Sequence, residues 1–101
     1  MIARIWRGTV HTKDADAYRA YIEETGISHY QSIPGNRGAW LMTTENDDLT
    51  EVVTLSFWES EEAIRAFAGD DISVARFYPE DDRYLIDWGK VVQHFEVYSP
   101  D

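Results

Sequence analysis

The chain has 101 residues, no cysteine, and 19 Asp and Glu against 9 Lys and Arg, which gives a net charge of −10. Such a charge repels nucleic-acid phosphates and anionic membrane surfaces, and the lack of cysteine excludes disulfides, thiolate catalysis and cysteine-ligated metal sites. The chain has no leader-like or membrane-length apolar run, so we expect one cytoplasmic domain over residues 1–101, with a core supplied by its 14% aromatic residues.

The first predicted elements are a strand over residues 2–10 and a helix over about 14–30. The strand is rich in β-branched and aromatic residues. In the helix, aromatic and apolar residues recur at helical spacing on one face, which extends as far as His29. A turn at 34–38 follows, because proline fixes φ and glycine supplies conformations that other residues resist.

A hairpin and a second helix come next. The strands are predicted over 39–44 and 51–58, since both segments have strand composition and a short polar turn joins them. Ser60 is a suitable N-cap for the second helix, with two glutamates in the first turn. Gly69 is predicted to end that helix.

The last third of the chain is predicted to contain a short helix, a loop and a strand. Asp70 or Asp71 can cap a helical continuation through residues 72–76. Residues 79–83 are proline-led and acidic, so we interpret them, Asp81 included, as a solvated loop. Alternating residues from 87 or 88 to 98 predict the final strand.

The order β-α-β-β-α-β predicts an α+β, ferredoxin-like fold with a four-stranded antiparallel sheet and helices on one face. Trp6, Trp40 and Trp58 all fall at even-numbered strand positions, so we expect more apolar sheet surface than two helices can cover. A homodimer that closes two sheets face to face into a barrel would bury this surface.

The segment from Phe57 to Phe77, FWESEEAIRAFAGDDISVARF, ends a strand, caps a helix and stops it at a glycine. Together with the turn at 34–38 and the order of elements, it resembles the antibiotic biosynthesis monooxygenase family of the dimeric α/β-barrel superfamily. The resemblance implies a homodimer that oxidises polycyclic phenols with molecular oxygen, without flavin or metal, in a pocket between helices and sheet.

A haem-degrading branch of that family uses an asparagine on strand one, a tryptophan on helix two and a histidine on the following short helix. The matching positions here are Trp6, Phe67 and Phe77, which lack the iron ligand and the hydrogen bond on which that branch relies. The substitutions predict an aromatic-lined cavity for a flat apolar or phenolic molecule, shaped by these three residues and Trp58. Simple packing of the same aromatic residues is the alternative.

Two histidines are the candidate general bases, and the third lies in an exposed loop. His29 falls on the inner face of the first helix, and His94 lies in the last strand. The alternative for His29 is that it caps the C-terminus of the helix. The alternative for His94 is that it is a hydrogen-bonded histidine in an interface. An arginine could hold an anionic oxygen, and Arg4 is the arginine whose strand position suggests burial. For Arg4 we expect instead an ion pair with Glu96 or Glu51.

No histidine, acidic or glycine-rich spacing typical of a metal, phosphate or dinucleotide site occurs, so no metal and no cofactor is predicted. The leading hypothesis is a cofactor-independent, monooxygenase-like protein that acts on or binds a small aromatic molecule. A non-catalytic dimeric ligand-binding or stress protein is the alternative. Haem handling through another residue, such as His94, is a third possibility.

Overall fold

A computed structural model describes residues 1–98, and its elements follow the predicted order closely. The strands are β1 (Ile2–His11), β2 (Asn36–Asn46), β3 (Leu49–Trp58), β4 (Leu85–Asp87) and β5 (Gln93–Glu96). The helices are α1 (Ala15–Ile22), α2 (Ser28–Ser32), α3 (Glu61–Ala68) and α4 (Asp81–Tyr84). A 3-10 turn at Thr12–Asp14 precedes α1, and a π-helical turn at Glu23–Ile27 joins α1 to α2.

The strands form one antiparallel sheet in the order β2-β3-β1-β4, and β5 also pairs with β1. β4 and β5 therefore occupy successive parts of the same sheet edge. The predicted α+β, ferredoxin-like fold is confirmed, and the sheet of the single chain is not closed. Among the residues described, no helix has the length and apolar character needed to cross a membrane.

The final strand is broken, whereas the sequence predicted one continuous strand over 87–98. Gly89 has φ of 52°, and a Cβ added there would lie 1.6 Å from the carbonyl oxygen of Arg7. The chain turns at this point, and residues 90–92 pair with residues 73–75 through two backbone hydrogen bonds of 2.9 Å. Residues 90–92 therefore pair with residues 73–75 rather than with β1.

The predicted helix over residues 72–76 is wrong, because this segment is irregular. The Asp71 carboxylate accepts hydrogen bonds from the backbone N–H of Ser73 at 3.1 Å and from its hydroxyl at 2.6 Å, which favours a turn. The carbonyl groups on either side of Ser73 accept from Arg4. Backbone groups that a helix would use are therefore engaged elsewhere.

Helix α3 begins and ends where the sequence predicted. The Ser60 hydroxyl accepts the backbone N–H of Ala63 at 3.2 Å, which is a standard N-cap interaction. Gly69 ends the helix with φ of 91°, a conformation that favours glycine. The inner face of α3 buries Ile64 and Phe67 against the sheet.

The helices cover one face of the sheet and divide its core into two clusters. The first cluster contains Trp6, Val10, Tyr18, Ile22, Val52, Ala75, Leu85 and Val92. The second contains Ile27, Tyr30, Ala39, Trp58, Ile64 and Phe67.

No helix of residues 1–98 covers the other face of the sheet, which carries exposed apolar side chains. Trp40, Leu55 and Ile5 lie opposite one another across β2, β3 and β1, so their side chains share this face. Trp40 and Phe95 are about half exposed, at 52% and 50%. The expectation of uncovered apolar sheet surface is therefore met.

The three strand tryptophans do not share that face. Trp6 and Trp58 are buried on the helix side, whereas Trp40 is exposed on the other side. An irregularity between Asn36 and Gly38 sets the register so that even positions of β2 lie opposite odd positions of β3. Residue parity alone therefore does not predict which face a tryptophan occupies.

Candidate functional site

A small cavity lies between the helical layer and the sheet. Its free volume is about 10 Å³, roughly the room needed by one water molecule. Aromatic faces from Trp6 and Phe77 form part of its wall. The ionisable residues of the wall are Arg4, Tyr18, Tyr30, Arg76, Tyr78 and Asp81.

Asp81 is the carboxylate of this wall, and it is only 2% exposed. One carboxylate oxygen accepts the Tyr18 hydroxyl at 2.9 Å, and the other accepts the backbone N–H of Tyr78 at 2.6 Å. Burial raises the pKa of Asp81, and these two hydrogen bonds oppose the shift. The interpretation of Asp81 as part of a solvated loop is therefore wrong.

Arg4 is buried, as its strand position predicted, with 2% of its surface exposed. Its Nη2 donates to the carbonyl oxygens of Ile72 and Val74 at 3.4 and 3.2 Å. Its Nε is buried and has no hydrogen-bond partner within residues 1–98. Burial lowers the pKa of Arg4.

The ion pair predicted for Arg4 is wrong. Glu51 instead lies 3.8 Å from Arg7, and Glu96 lies 3.4 Å from the amino terminus. Arg4 makes no salt bridge in the part of the chain that the structure describes. β1 directs Arg4 to the helix face, whereas Arg7 lies at an odd position on the opposite face.

His29 stands beside the cavity at the start of α2. Its Nδ1 is 3.1 Å from the Tyr78 hydroxyl, and its ring meets Phe67 edge-on with 5.1 Å between centroids. Burial, followed by the positive charge of Arg76, lowers the pKa of His29, which favours the neutral imidazole. Burial raises the pKa of Tyr78, which keeps that phenol protonated.

His94 lies apart from His29. It is opposite Arg4 on the neighbouring strand and borders a shallow surface depression of about 250 Å³ that also includes Glu61 and Ile72. Its Nε2 is buried without a hydrogen-bond partner within residues 1–98. Burial and then the charge of Arg4 lower the pKa of His94. Neither histidine lines the cavity: His29 contacts the wall residue Tyr78, and His94 lies opposite the wall residue Arg4 on the neighbouring strand.

The four predicted aromatic binding residues fall into two pairs. Trp6 and Phe77 line the cavity, and both contact Trp88, whose carbonyl oxygen accepts the Trp6 indole N–H at 3.2 Å. Trp58 and Phe67 are fully buried in the second core cluster, at 0% and 1% exposure. A binding role for any of the four stays a prediction.

Sequence reasoning missed the polar half of the cavity wall. Tyr30 is the buried residue of α2, and its pKa is raised by burial while Thr54 and the charge of Arg4 oppose the shift. Tyr18 gave one usable signal, since a tyrosine on the inner face of a helix needs a buried hydrogen-bond partner. Its partner Asp81 is 63 residues away, so no local pattern identifies it.

The fold defines a class of protein: an α+β, ferredoxin-like fold with a small cavity between its helices and its sheet. The profile of the antibiotic biosynthesis monooxygenase family matches residues 1–73, most of the chain, and the chain belongs to this family. No curated protein matches the sequence.

Among solved structures, the chain is similar to the crystal structure of a proposed antibiotic biosynthesis monooxygenase from Bacillus cereus. The superposition has a TM-score of 0.64 and covers 99% of this chain and 97% of that one, at 16% sequence identity. Identity this low supports the shared fold alone. The family match ends before Tyr78 and Asp81, so part of the cavity wall lies outside it.

Proposed function

We propose that this protein is a homodimer that binds a small planar aromatic molecule in the cavity between its helices and its sheet. The observation that carries the proposal is the composition of the cavity wall. Trp6 and Phe77 offer aromatic surface, while Arg4, Tyr30 and Tyr78 offer hydrogen-bonding groups at the edge. Sites for flat ligands combine apolar faces with a few such polar groups.

A ligand of this kind requires the cavity to expand, because a space of about 10 Å³ accepts one water molecule. Residues 72–78, here named the cover segment, have no regular helix or strand and contribute several residues to the wall. Segments with few regular hydrogen bonds open at lower free energy than helices or central strands. We infer that the ligand enters as the cover segment moves.

The uncovered sheet face supports the dimer. Trp40, Met42 and Phe95 are exposed at 52%, 45% and 50% on a chain short enough to gain from interface burial. Trp40→Arg is expected to convert the dimer to a monomer by light scattering. Ala66→Arg, on an exposed position of α3, is the control that leaves the mass unchanged. A wild-type monomer at micromolar concentration would refute this part of the proposal.

Binding is tested by calorimetry with 2-naphthol and anthrone as probes. Ala75 lines the cavity and is 9% exposed, so Ala75→Leu fills the space, whereas Ala66→Leu places the same side chain on the exposed surface of α3. We expect wild-type and Ala66→Leu to bind and Ala75→Leu to lose binding, with folding checked by circular dichroism. Undiminished binding by Ala75→Leu, or no binding by the wild type, contradicts the cavity as the ligand site.

Oxidation without a cofactor is the second candidate, and the His29–Tyr78 pair favours it. A neutral imidazole that contacts a phenol of the wall can take a proton from an acidic CH₂ group of the ligand. The resulting carbanion would reduce molecular oxygen, so that one CH₂ and one O₂ give one carbonyl and one water. Haem breakdown fits less well, since Phe67 and Phe77 offer no iron ligand.

Oxygen uptake with anthrone tests this second candidate. If His29 is the base, His29→Gln lowers kcat by about a hundredfold or more, while His94→Gln, outside the cavity, leaves kcat unchanged. Binding without oxygen uptake would leave the protein as a non-catalytic ligand-binding member of its family. Equal losses in both variants would contradict the assignment of His29.

A further inference from the structure

The buried guanidinium of Arg4 has neither a salt-bridge partner nor a full set of hydrogen bonds within residues 1–98. It is 2% exposed, yet it makes no salt bridge within residues 1–98, and its Nε has no hydrogen-bond partner there. Its two hydrogen bonds, at 3.2 and 3.4 Å, are long and go to uncharged carbonyl oxygens. Its other neighbours, the Tyr30 phenol and the Phe67 ring at 5.5 Å, are uncharged as well. Buried charges in folded proteins are ordinarily paired or fully hydrogen-bonded. Arg4 therefore has unused capacity for an anion.

The charged groups of the cavity wall leave it with a surplus of positive charge. Two guanidiniums, from Arg4 and Arg76, face a single carboxylate, that of Asp81. Both oxygens of Asp81 are already engaged by Tyr18 and Tyr78. The chain as a whole carries a charge of −10, so this wall has the opposite sign to the rest of the molecule. Such a site favours an anionic ligand over a neutral one.

We propose that Arg4 is the specificity-determining residue of the cavity and binds an ionised oxygen carried by the aromatic ligand. The inference rests on the proposed function, because it assumes that the cavity admits an aromatic molecule. An aromatic carboxylate and a phenolate both supply such an oxygen, and either would accept charge-assisted hydrogen bonds from the guanidinium. Arg76, which is exposed, lies nearer the surface and donates to the carbonyl oxygen of Phe67 at 2.8 Å.

Arg4 also connects ligand binding to the cover segment. The carbonyl oxygens that it now contacts belong to Ile72 and Val74, within that segment. An ionised oxygen is a stronger acceptor than a peptide carbonyl. A bound anion therefore takes over hydrogen bonds of Arg4 and releases one of the contacts that hold the cover segment closed.

The experiment compares 2-naphthoate with 2-naphthamide, which has nearly the same shape and no charge. Calorimetry on the wild-type protein is expected to show that the acid binds roughly tenfold to a hundredfold more tightly, as for a charge-assisted hydrogen bond. Arg4→Met should remove this preference and keep binding of the amide. Arg19→Met, which removes one positive charge from an exposed position of α1 outside the cavity wall, is the matched control and should retain the preference.

A second readout uses the wild-type protein alone, in case Arg4→Met does not fold. The pKa of His94 is lowered by burial and by Arg4 and is raised by Glu61. Neutralising Arg4 with a bound anion should therefore raise the pKa of His94 in an NMR titration with 2-naphthoate, and 2-naphthamide should not. A role of Arg4 in packing alone would not produce this difference.

The outcomes separate the two proposals. Equal affinity of the wild type for the acid and the amide overturns the role of Arg4 and leaves the cavity as an aromatic site. Failure of every aromatic probe to bind overturns the proposed function and this inference with it. A rise in 2-naphthol affinity at alkaline pH supports a phenolate ligand, whereas tight 2-naphthoate binding without that rise supports a carboxylate.

Discussion

The hydrogen bond between Tyr18 and Asp81 is the best test of the buried polar wall. Tyr18→Phe removes a 2.9 Å bond in which both residues are at most 2% exposed, and it leaves one carboxylate oxygen without its donor. Hydrogen bonds to charged groups contribute about 1.5–3 kcal/mol, and the phenyl ring fills the same space as the phenol. We expect Tyr18→Phe to lower the free energy of unfolding by about 2 kcal/mol at pH 7.

The loss of unfolding free energy in Tyr18→Phe should be larger at neutral pH than at acidic pH. Burial raises the pKa of Asp81, so this carboxyl favours the folded state most when protonated, below its ordinary pKa of about 3.9. That contribution disappears as the pH rises through the raised pKa. The Tyr18 hydroxyl stabilises the ionised form, so its removal raises the pKa of Asp81 further. The destabilisation by Tyr18→Phe should therefore be larger at pH 7 than at about pH 4.

Urea unfolding at both pH values, at one fixed protein concentration, measures the effect. Tyr84→Phe is the matched control, because its ring packs 5.4 Å from that of Tyr18 and its hydroxyl makes no hydrogen bond within residues 1–98. Tyr84→Phe should lower the free energy of unfolding by less than about 0.5 kcal/mol. Equal losses for the two variants, or a loss from Tyr18→Phe that is the same at both pH values, would refute the reasoning.

Three further predictions concern single interactions. Ser60→Ala removes the hydroxyl that caps Ala63 and should lower the free energy of unfolding by about 1 kcal/mol in urea, whereas Ser60→Asp should keep it. Arg76→Gln removes a positive charge that lowers the pKa of His29, so an NMR titration should show a higher pKa; an unchanged value would contradict the electrostatic cause. Gly89→Ala forces a Cβ to 1.6 Å from a β1 carbonyl oxygen at φ of 52°, and its urea midpoint should fall by the equivalent of about 2 kcal/mol or more.

Local chemistry was enough to predict β1 and both ends of α3, but not α4, which lies where a loop was predicted. The strand composition of β1, the Ser60 cap and the Gly69 stop act within a few residues, and the structure has each of them. The helix predicted over residues 72–76 does not form, although Asp71 is a suitable N-cap, because this segment makes long-range contacts instead. That side chain caps a turn instead, because the following backbone groups find partners in Arg4 and in the broken sheet edge.

The candidate site was less predictable than the fold, for the same physical reason. Burial of Arg4 followed from its place on a strand, but its lack of a carboxylate partner did not. Glu51, opposite Thr9, lies on the other face of the sheet, and Glu96, opposite Ile2 on the same face, contacts the amino terminus instead. Asp81 has the sequence surroundings of a solvated acid, and only the approach of α1 makes it a buried acceptor for Tyr18. Such pairs depend on tertiary packing, which periodicity and capping rules do not describe.

The turn at Gly89 explains both the break in the sheet edge and the position of the cover segment over the cavity. Asp87 lies opposite Thr9 and Gln93 lies opposite Ile5, so β4 and β5 are in registers on β1 that one continuous ladder cannot join. Residues 90–92 therefore leave the edge and are available to residues 73–75. The turn at Gly89 allows these two segments to pair, which holds the cover segment over the cavity. In the same turn, Trp88 contacts both Trp6 and Phe77 on the cavity wall. Residues 90–92 pair with the cover segment instead of with β1. Movement of the cover segment for ligand entry would therefore break these backbone hydrogen bonds at the sheet edge, while the central β3-β1 pairing stays intact.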